Sequence, residues 1–191
     1  QVRARCSLPL RYFLYVGRLV KTKGVFGLLE AYAQIDTKIR AKVGLVFVGD
    51  GEDRAELTER ASRIVSGTIQ FTGFVHREGL SDFYALADAL IFPTHSDTWG
   101  LVVNEAMSCG APVIVTSVAG CVADLVQDGW NGFVISPQDR TQLAAAMARL
   151  ASDSELRTEM GSRSRSRIEA YSPEAWAAGL VHAVRSICET N

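Results

Sequence analysis

The sequence predicts an α/β protein, a Rossmann-like doubly wound parallel sheet of about six strands with helices on both faces. Three observations carry this reading. Short apolar runs alternate with helical patterns along the 191 residues. Most of the runs are continuously apolar, as parallel strands covered on both faces require. The segments between them place apolar residues at i, i+3, i+4 and i+7, which puts one face of each helix on a core.

The elements follow in order. A first strand at Phe13–Val16 precedes a helix with the stripe Val25, Leu28, Leu29, Tyr32 and Ala33. The second, Leu45–Val48, precedes a weaker stripe of Leu57, Ala61, Ile64 and Val65. The third, Ile69–Phe71, leads to Leu80, Phe83, Tyr84 and Ala87. The fourth, Ala89–Phe92, leads through a loop to a helix ending near Ser108. The fifth and sixth are Pro112–Val115 and Phe133–Ile135, and the stripe Leu143, Ala146, Met147, Leu150 and Ala151 follows the sixth. The tail is helical. Asp153–Ala170 is charged, and its run Arg163, Arg165 and Arg167 reads as a solvated face. Ser172 as N-cap and Pro173 at the first helical position open a last helix with Trp176, Leu180, Ala183, Val184 and Ile187 on one face.

Composition narrows the function classes. The chain is 48% hydrophobic and 21% charged, which excludes disorder. Lys plus Arg number 20 and Asp plus Glu 21, a net charge of −1, which disfavours general nucleic-acid binding. No run approaches the ~18–20 apolar residues of a membrane helix, and the first residues show no signal-peptide pattern. Cys6, Cys109, Cys121 and Cys188 form no CxxC pair, and His76, His95 and His182 are scattered, so reduced thiols and no zinc site are expected. The start at Gln1 rather than Met suggests a fragment.

Ligands of doubly wound folds bind at the carboxyl ends of the strands. After the first strand, Gly17 permits a tight turn, and Arg18 and Lys23 place two cations beside a helix start. An arginine fork and a lysine point charge together suit a diphosphate. After the second strand, Gly49-Asp50-Gly51-Glu52 begins like a dinucleotide fingerprint, but Arg54 stands where its third glycine belongs. A simple glycine turn is the better reading there. After the fourth strand, Asp97 lies in the loop and Glu105 eight residues on, about one turn inside the helix. That helix N-terminus is an anion site. A carboxylate among Leu101, Val102, Val103, Ala106 and Met107 costs stability unless hydrogen-bonded, which marks Glu105 as a functional candidate. After the fifth strand, the small residues of Thr116–Gly120 allow a close approach to a ligand or simply a short turn.

With these motifs in order, the chain resembles the C-terminal domain of a GT-B fold glycosyltransferase, more narrowly glycosyltransferase family 4, the group 1 retaining enzymes. The motifs are VGRLVKTKG (16–24), FVGDGEDRAEL (47–57), FTGFV (71–75), FYALADALIFP (83–93), DTWGLVVNEAMSCGAPVI (97–114) and DGWNGFVI (128–135). The resemblance implies that Arg18 and Lys23 hold the donor diphosphate. It makes Glu105 the second acid of E-x7-E, on the ribose hydroxyls, and Asp97 the first, on the transferred sugar. Backbone at Trp99, Gly100 and Leu101 would meet sugar and phosphates, backbone near Val75 and His76 the base, and Gly17 would let its loop approach the donor. Arg18, Lys23, Asp97 and Glu105 are thus the catalytic candidates. The sequence departs from the family at Asp97, where Glu is usual, and at Trp99 and Ala119, where Phe and Gly are common. The shorter acid moves its carboxylate by roughly 1.5 Å, enough to matter for hydroxyl contacts.

The implied reaction moves a sugar from a nucleotide diphosphate sugar to a hydroxyl acceptor, a glycan or glycolipid, with retention and with no cofactor or metal. On this reading residues 1–191 are one donor-binding domain, with 1–10 the remnant of an interdomain hinge, 172–191 a C-terminal helix and the N-terminal acceptor domain absent. The isolated domain would bind donor without transferring sugar. The full-length enzyme is expected in the cytoplasm, peripheral to the inner membrane face. The alternatives are a noncatalytic GT-B binding module, a sugar-nucleotide epimerase-like domain and, least favoured, a dinucleotide-dependent oxidoreductase.

Overall fold

The computed structural model describes residues 6–189. Its strands are β1 (Tyr12–Val16), β2 (Gly44–Val48), β3 (Ile69–Gly73), β4 (Ala89–Phe92), β5 (Val113–Thr116) and β6 (Gly132–Ile135). All pair in parallel, in the order β3-β2-β1-β4-β5-β6. The expected fold class is what the chain adopts. The order reverses between β1 and β4, and such a switch point opens a crevice at the carboxyl ends of the strands. One boundary moves for a chemical reason. Pro112 has no N–H to give the ladder, so β5 begins at Val113 and gains Thr116, paired with Ile135.

The helices are α1 (Val25–Gln34), α2 (Thr37–Arg40), α3 (Arg54–Ser62), α4 (Arg77–Leu86), α5 (Leu101–Ser108), α6 (Val122–Leu125), α7 (Arg140–Ser152), α8 (Ser154–Glu169) and α9 (Pro173–Glu189). Successive β1 side chains serve opposite faces of the sheet. Phe13 and Tyr15 join Leu28, Tyr32 and Met147 in one core, while Leu14 and Val16 join Phe83, Val103 and Met107 in the other. The continuous apolar strands of the sequence are thus the ones buried on both faces.

Two expectations need correction. α3 stops at Ser62, and Ser66 and Gly67, both with positive φ, turn the chain into β3. Val65 therefore leaves the helical stripe and is 84% exposed. The basic run of α8 is not simply a solvated face. Arg163 donates to the Trp130 carbonyl at 3.1 Å and covers its ring, and Arg167 donates twice to the Asp124 carbonyl. These guanidiniums tie α8 to α6 and to the loop before β6.

Ser172 caps α9 as expected, its hydroxyl accepting from the Ala175 N–H at 3.1 Å. The apolar face of α9 stays largely open, with Trp176 71% and Ile187 67% exposed. Of the stretch read as a hinge, residues 1–5 lie outside the described residues and Leu8 is buried. Residues 190 and 191 of the expected terminal helix also lie outside them.

A half-buried ionic clasp holds the start of the sheet to the tail helices. Asp88 accepts from Arg11 at 2.6 Å and faces Arg157 at 3.8 Å, while Arg11 also donates to the Ala151 carbonyl. Burial holds the Arg157 pKa below its ordinary value, opposed by Asp88. Asp88→Ala takes from two half-buried guanidiniums the carboxylate they share and is expected to cost about 2–3 kcal/mol in urea unfolding. A loss under about 0.5 kcal/mol, the scale of an exposed pair, would refute the clasp.

Candidate functional site

The switch-point crevice holds two adjoining clefts that share Val16 and Gly17. The first, about 280 Å³, is lined by Arg18, Val48, Asp50, Phe74, Val75 and Leu80 besides the shared pair. The second, about 310 Å³, is lined by Tyr15, Lys23, Asp97, Trp99, Gly100 and Leu101 among others. The first is mostly apolar with a cation at its mouth, and the second sets the charged Lys23 and Asp97 among apolar side chains such as Phe92, Trp99 and Leu101.

Glycines bring the loops together backbone to backbone. Gly49 has φ +131°, and a Cβ there would lie 2.0 Å from the Gly17 carbonyl oxygen. The Asp50 side chain accepts from the Gly51 N–H and from Arg54, which holds it well ionised, below the usual carboxylate range. Gly-Asp-Gly is thus a turn that packs the β2 loop against the β1 loop. The Lys21–Lys23 stretch forms a single 3₁₀ turn closed by Gly24 in the left-handed region. A Cβ on Gly24 would lie 1.9 Å from the Pro93 carbonyl oxygen, so this glycine seats the β1 loop directly on the β4 loop.

That seating places Lys23 against Asp97. Lys23 Nζ donates to Asp97 Oδ2 at 2.6 Å, with the two side chains 21% and 20% exposed. Asp97 Oδ1 accepts from the Trp99 N–H at 3.2 Å, and the Trp99 indole donates to Asn104 Oδ1 at 2.9 Å. α5 begins immediately after, so the unpaired N–H groups of its first turn border the second cleft. The Tyr15 hydroxyl donates to the Arg18 carbonyl at 2.7 Å and stays protonated, because burial pushes its pKa up; nearby Arg18 opposes this and Asp97 adds to it.

Gly17, Arg18 and Val75 line the first cleft, and Lys23, Asp97, Trp99, Gly100 and Leu101 line the second. Glu105 lies half-buried one turn into α5, beyond the residues that line either cleft, accepting from the Tyr84 hydroxyl at 2.8 Å. His76 is exposed at the start of α4, edge-on to the Phe74 ring at 5.2 Å, and lines neither cleft. Sequence reasoning passed over Tyr15, Phe74 and Leu80 as lining residues and Tyr84 as the partner of Glu105. Tyr84 sits in a helical apolar stripe, where only packing can be read. The loop after β5 touches protein: a Cβ on Gly120 would lie 2.0 Å from the Thr98 carbonyl oxygen, and the Gly120 N–H donates to the Asp97 carbonyl. Its small residues grip the Asp97–Trp99 loop from behind. Among the described residues no group of three or more His, Cys, Asp or Glu is placed to hold a metal ion, and no helix is long and apolar enough to cross a membrane.

Comparison with known proteins gives consistent relatives. The profile of the family described as "Glycosyl transferases group 1" matches residues 8–167. Alpha-D-kanosaminyltransferase of Streptomyces kanamyceticus is 32% identical over 162 residues, 84% of this chain and 42% of its own. Sucrose-phosphate synthase from Thermosynechococcus elongatus superposes with a TM-score of 0.80 at 29% identity, over 99% of this chain and 49% of that one. Anabaena Alr3699/HepE in complex with UDP-glucose superposes with a TM-score of 0.76 at 26% identity, over 87% of this chain and 46% of that one. The chain spans less than half the length of each of these.

Proposed function

The chain belongs to the group 1 glycosyl transferases, and we propose that it is the C-terminal, donor-binding domain of a GT-B enzyme of glycosyltransferase family 4. The observation that carries this is the convergence of Arg18, Lys23, Asp97 and the α5 N-terminus on two adjoining clefts at the switch point between β1 and β4. A base fits the apolar first cleft, beside Phe74 and Val75. The diphosphate would lie at Gly17 between Arg18 and Lys23, and the sugar in the second cleft near Asp97 and the Trp99–Leu101 backbone. Relatives twice this length and the open apolar face of α9 support a further, acceptor-binding domain in the whole protein.

The chemistry follows from where charge grows. As the bond from the anomeric carbon to the diphosphate breaks, the leaving group gains negative charge. Arg18 and Lys23 line the two clefts and the first turn of α5 borders the second, which supports their role as donors to that charge, and preorganised donors of this kind are each worth about 10²–10³ in rate. A lysine ammonium has three donors, so Lys23 can hold Asp97 and still reach a phosphate oxygen. That bond fixes the shorter acid's carboxylate at the cleft wall. In the full-length enzyme the sugar would pass to a hydroxyl of a glycan or glycolipid with retention, at the cytoplasmic membrane face and with no cofactor. The domain alone would bind donor and transfer nothing.

Calorimetric titration with UDP, GDP, ADP and their sugar conjugates tests the reading. Binding of at least one nucleotide diphosphate is expected, and binding of none would refute the donor site.

A further inference from the structure

We infer that Tyr84 is a positioning residue for Glu105, holding one carboxylate oxygen so that the other is presented to the vicinal hydroxyls of a ribose. This rests on the assignment of Glu105 to the ribose under the proposed function. Tyr84 is 1% exposed and reaches from α4 to α5, where its hydroxyl donates to Glu105 Oε2 at 2.8 Å. Burial, reinforced by the Glu105 charge, pushes the phenol pKa far above its ordinary value, so the hydroxyl remains a donor at any physiological pH.

The geometry explains how an acid is tolerated on α5. Val102, one turn before, and Cys109, one turn after, are partly buried against the core, so the Glu105 side chain leaves the helix beside an apolar surface. A glutamate has three rotatable side-chain bonds and loses rotamer entropy when it is ordered. A phenol fixed by burial supplies the second point that orients the carboxylate before a ligand arrives. The bond to Oε2 leaves Oε1 with both lone pairs to accept from a diol, and ordering the acceptor in advance lowers the cost of binding. Phenylalanine keeps the shape of Tyr84 and removes only this donor.

The experiment compares UDP, GDP and ADP with their 2′,3′-dideoxy counterparts by calorimetry on wild type, Tyr84→Phe, Glu105→Gln and the double variant. Thermal unfolding confirms that each is folded. Tyr84→Phe is expected to weaken the ribonucleotide that binds by about tenfold, the scale of one hydrogen bond to a charged group. It should leave the dideoxy form within about twofold, so discrimination falls. In the Glu105→Gln background the tyrosine change should add less than about twofold, because the two act as one unit. Equal weakening of both nucleotide forms, or unchanged discrimination in Tyr84→Phe while Glu105→Gln abolishes it, overturns the role of Tyr84 and leaves the ribose assignment standing. If Glu105→Gln itself leaves discrimination unchanged, the ribose assignment fails and the inference falls with it.

Discussion

Arg18→Ala weakens whichever of UDP, GDP and ADP the domain binds by about 30-fold and leaves the matching nucleoside within about twofold, the scale of a lost charge-assisted pair to phosphate. The expectation comes from the place of Arg18. It stands exposed at the mouth of the first cleft, one residue from the Gly17 that both clefts share. Its backbone is held by the Tyr15 hydroxyl on the Arg18 carbonyl, so the substitution removes a side chain without releasing the loop. The guanidinium is therefore positioned for a group that spans the two clefts, which in the proposed pose is the diphosphate. A cation exposed to solvent is screened by salt, so the effect should shrink between ~0.05 and ~0.5 M salt. Calorimetry on nucleoside and nucleotide in parallel checks this. Equal losses for both would mean that Arg18 supports the base cleft and not the phosphates.

Gly24→Ala should be the more damaging change, lowering stability by about 3 kcal/mol or more and abolishing nucleotide binding with it. Two costs add. Alanine in the left-handed region costs about 1–2 kcal/mol. Its Cβ would also lie 1.9 Å from the Pro93 carbonyl oxygen, a backbone atom with no rotamer to yield. The loop bearing Lys23 must then lift from the loop bearing Asp97, and their 2.6 Å ion pair opens. Gly27, three residues on, is the internal control. It lies inside α1 with nothing within 4 Å of an added Cβ, so Gly27→Ala should be neutral or stabilising by up to ~1 kcal/mol. Urea unfolding of the two variants reads the difference directly, and similar stabilities would refute the seating role of Gly24.

Much of the site was legible one loop at a time. Arg18 and Lys23 beside a helix start, Asp97 in a loop and Glu105 inside a helix are patterns of residue type and spacing, and each lies in the predicted element. Their neighbours were not legible. Nothing in the local pattern around Tyr84 separates a tyrosine that only packs from one whose hydroxyl carries a bond across two helices. The basic run of α8 shows the same limit, since two of its arginines end on carbonyls 33 and 43 residues away in the chain.

The sequence by itself determined the fold class, the six strands and the placement of the candidate loops. These depend on apolar periodicity and on glycine, proline and capping residues, which act over a few neighbours. Tertiary structure alone decided that Lys23 is paired with Asp97, that Glu105 hangs from Tyr84, that Gly24, Gly49 and Gly120 clamp one loop to the next, and that the face of α9 lies open. Each of these depends on which segments far apart in the chain do or do not meet. Only the assembled sheet, by fixing β1 beside β4, sets the distances at which such groups meet.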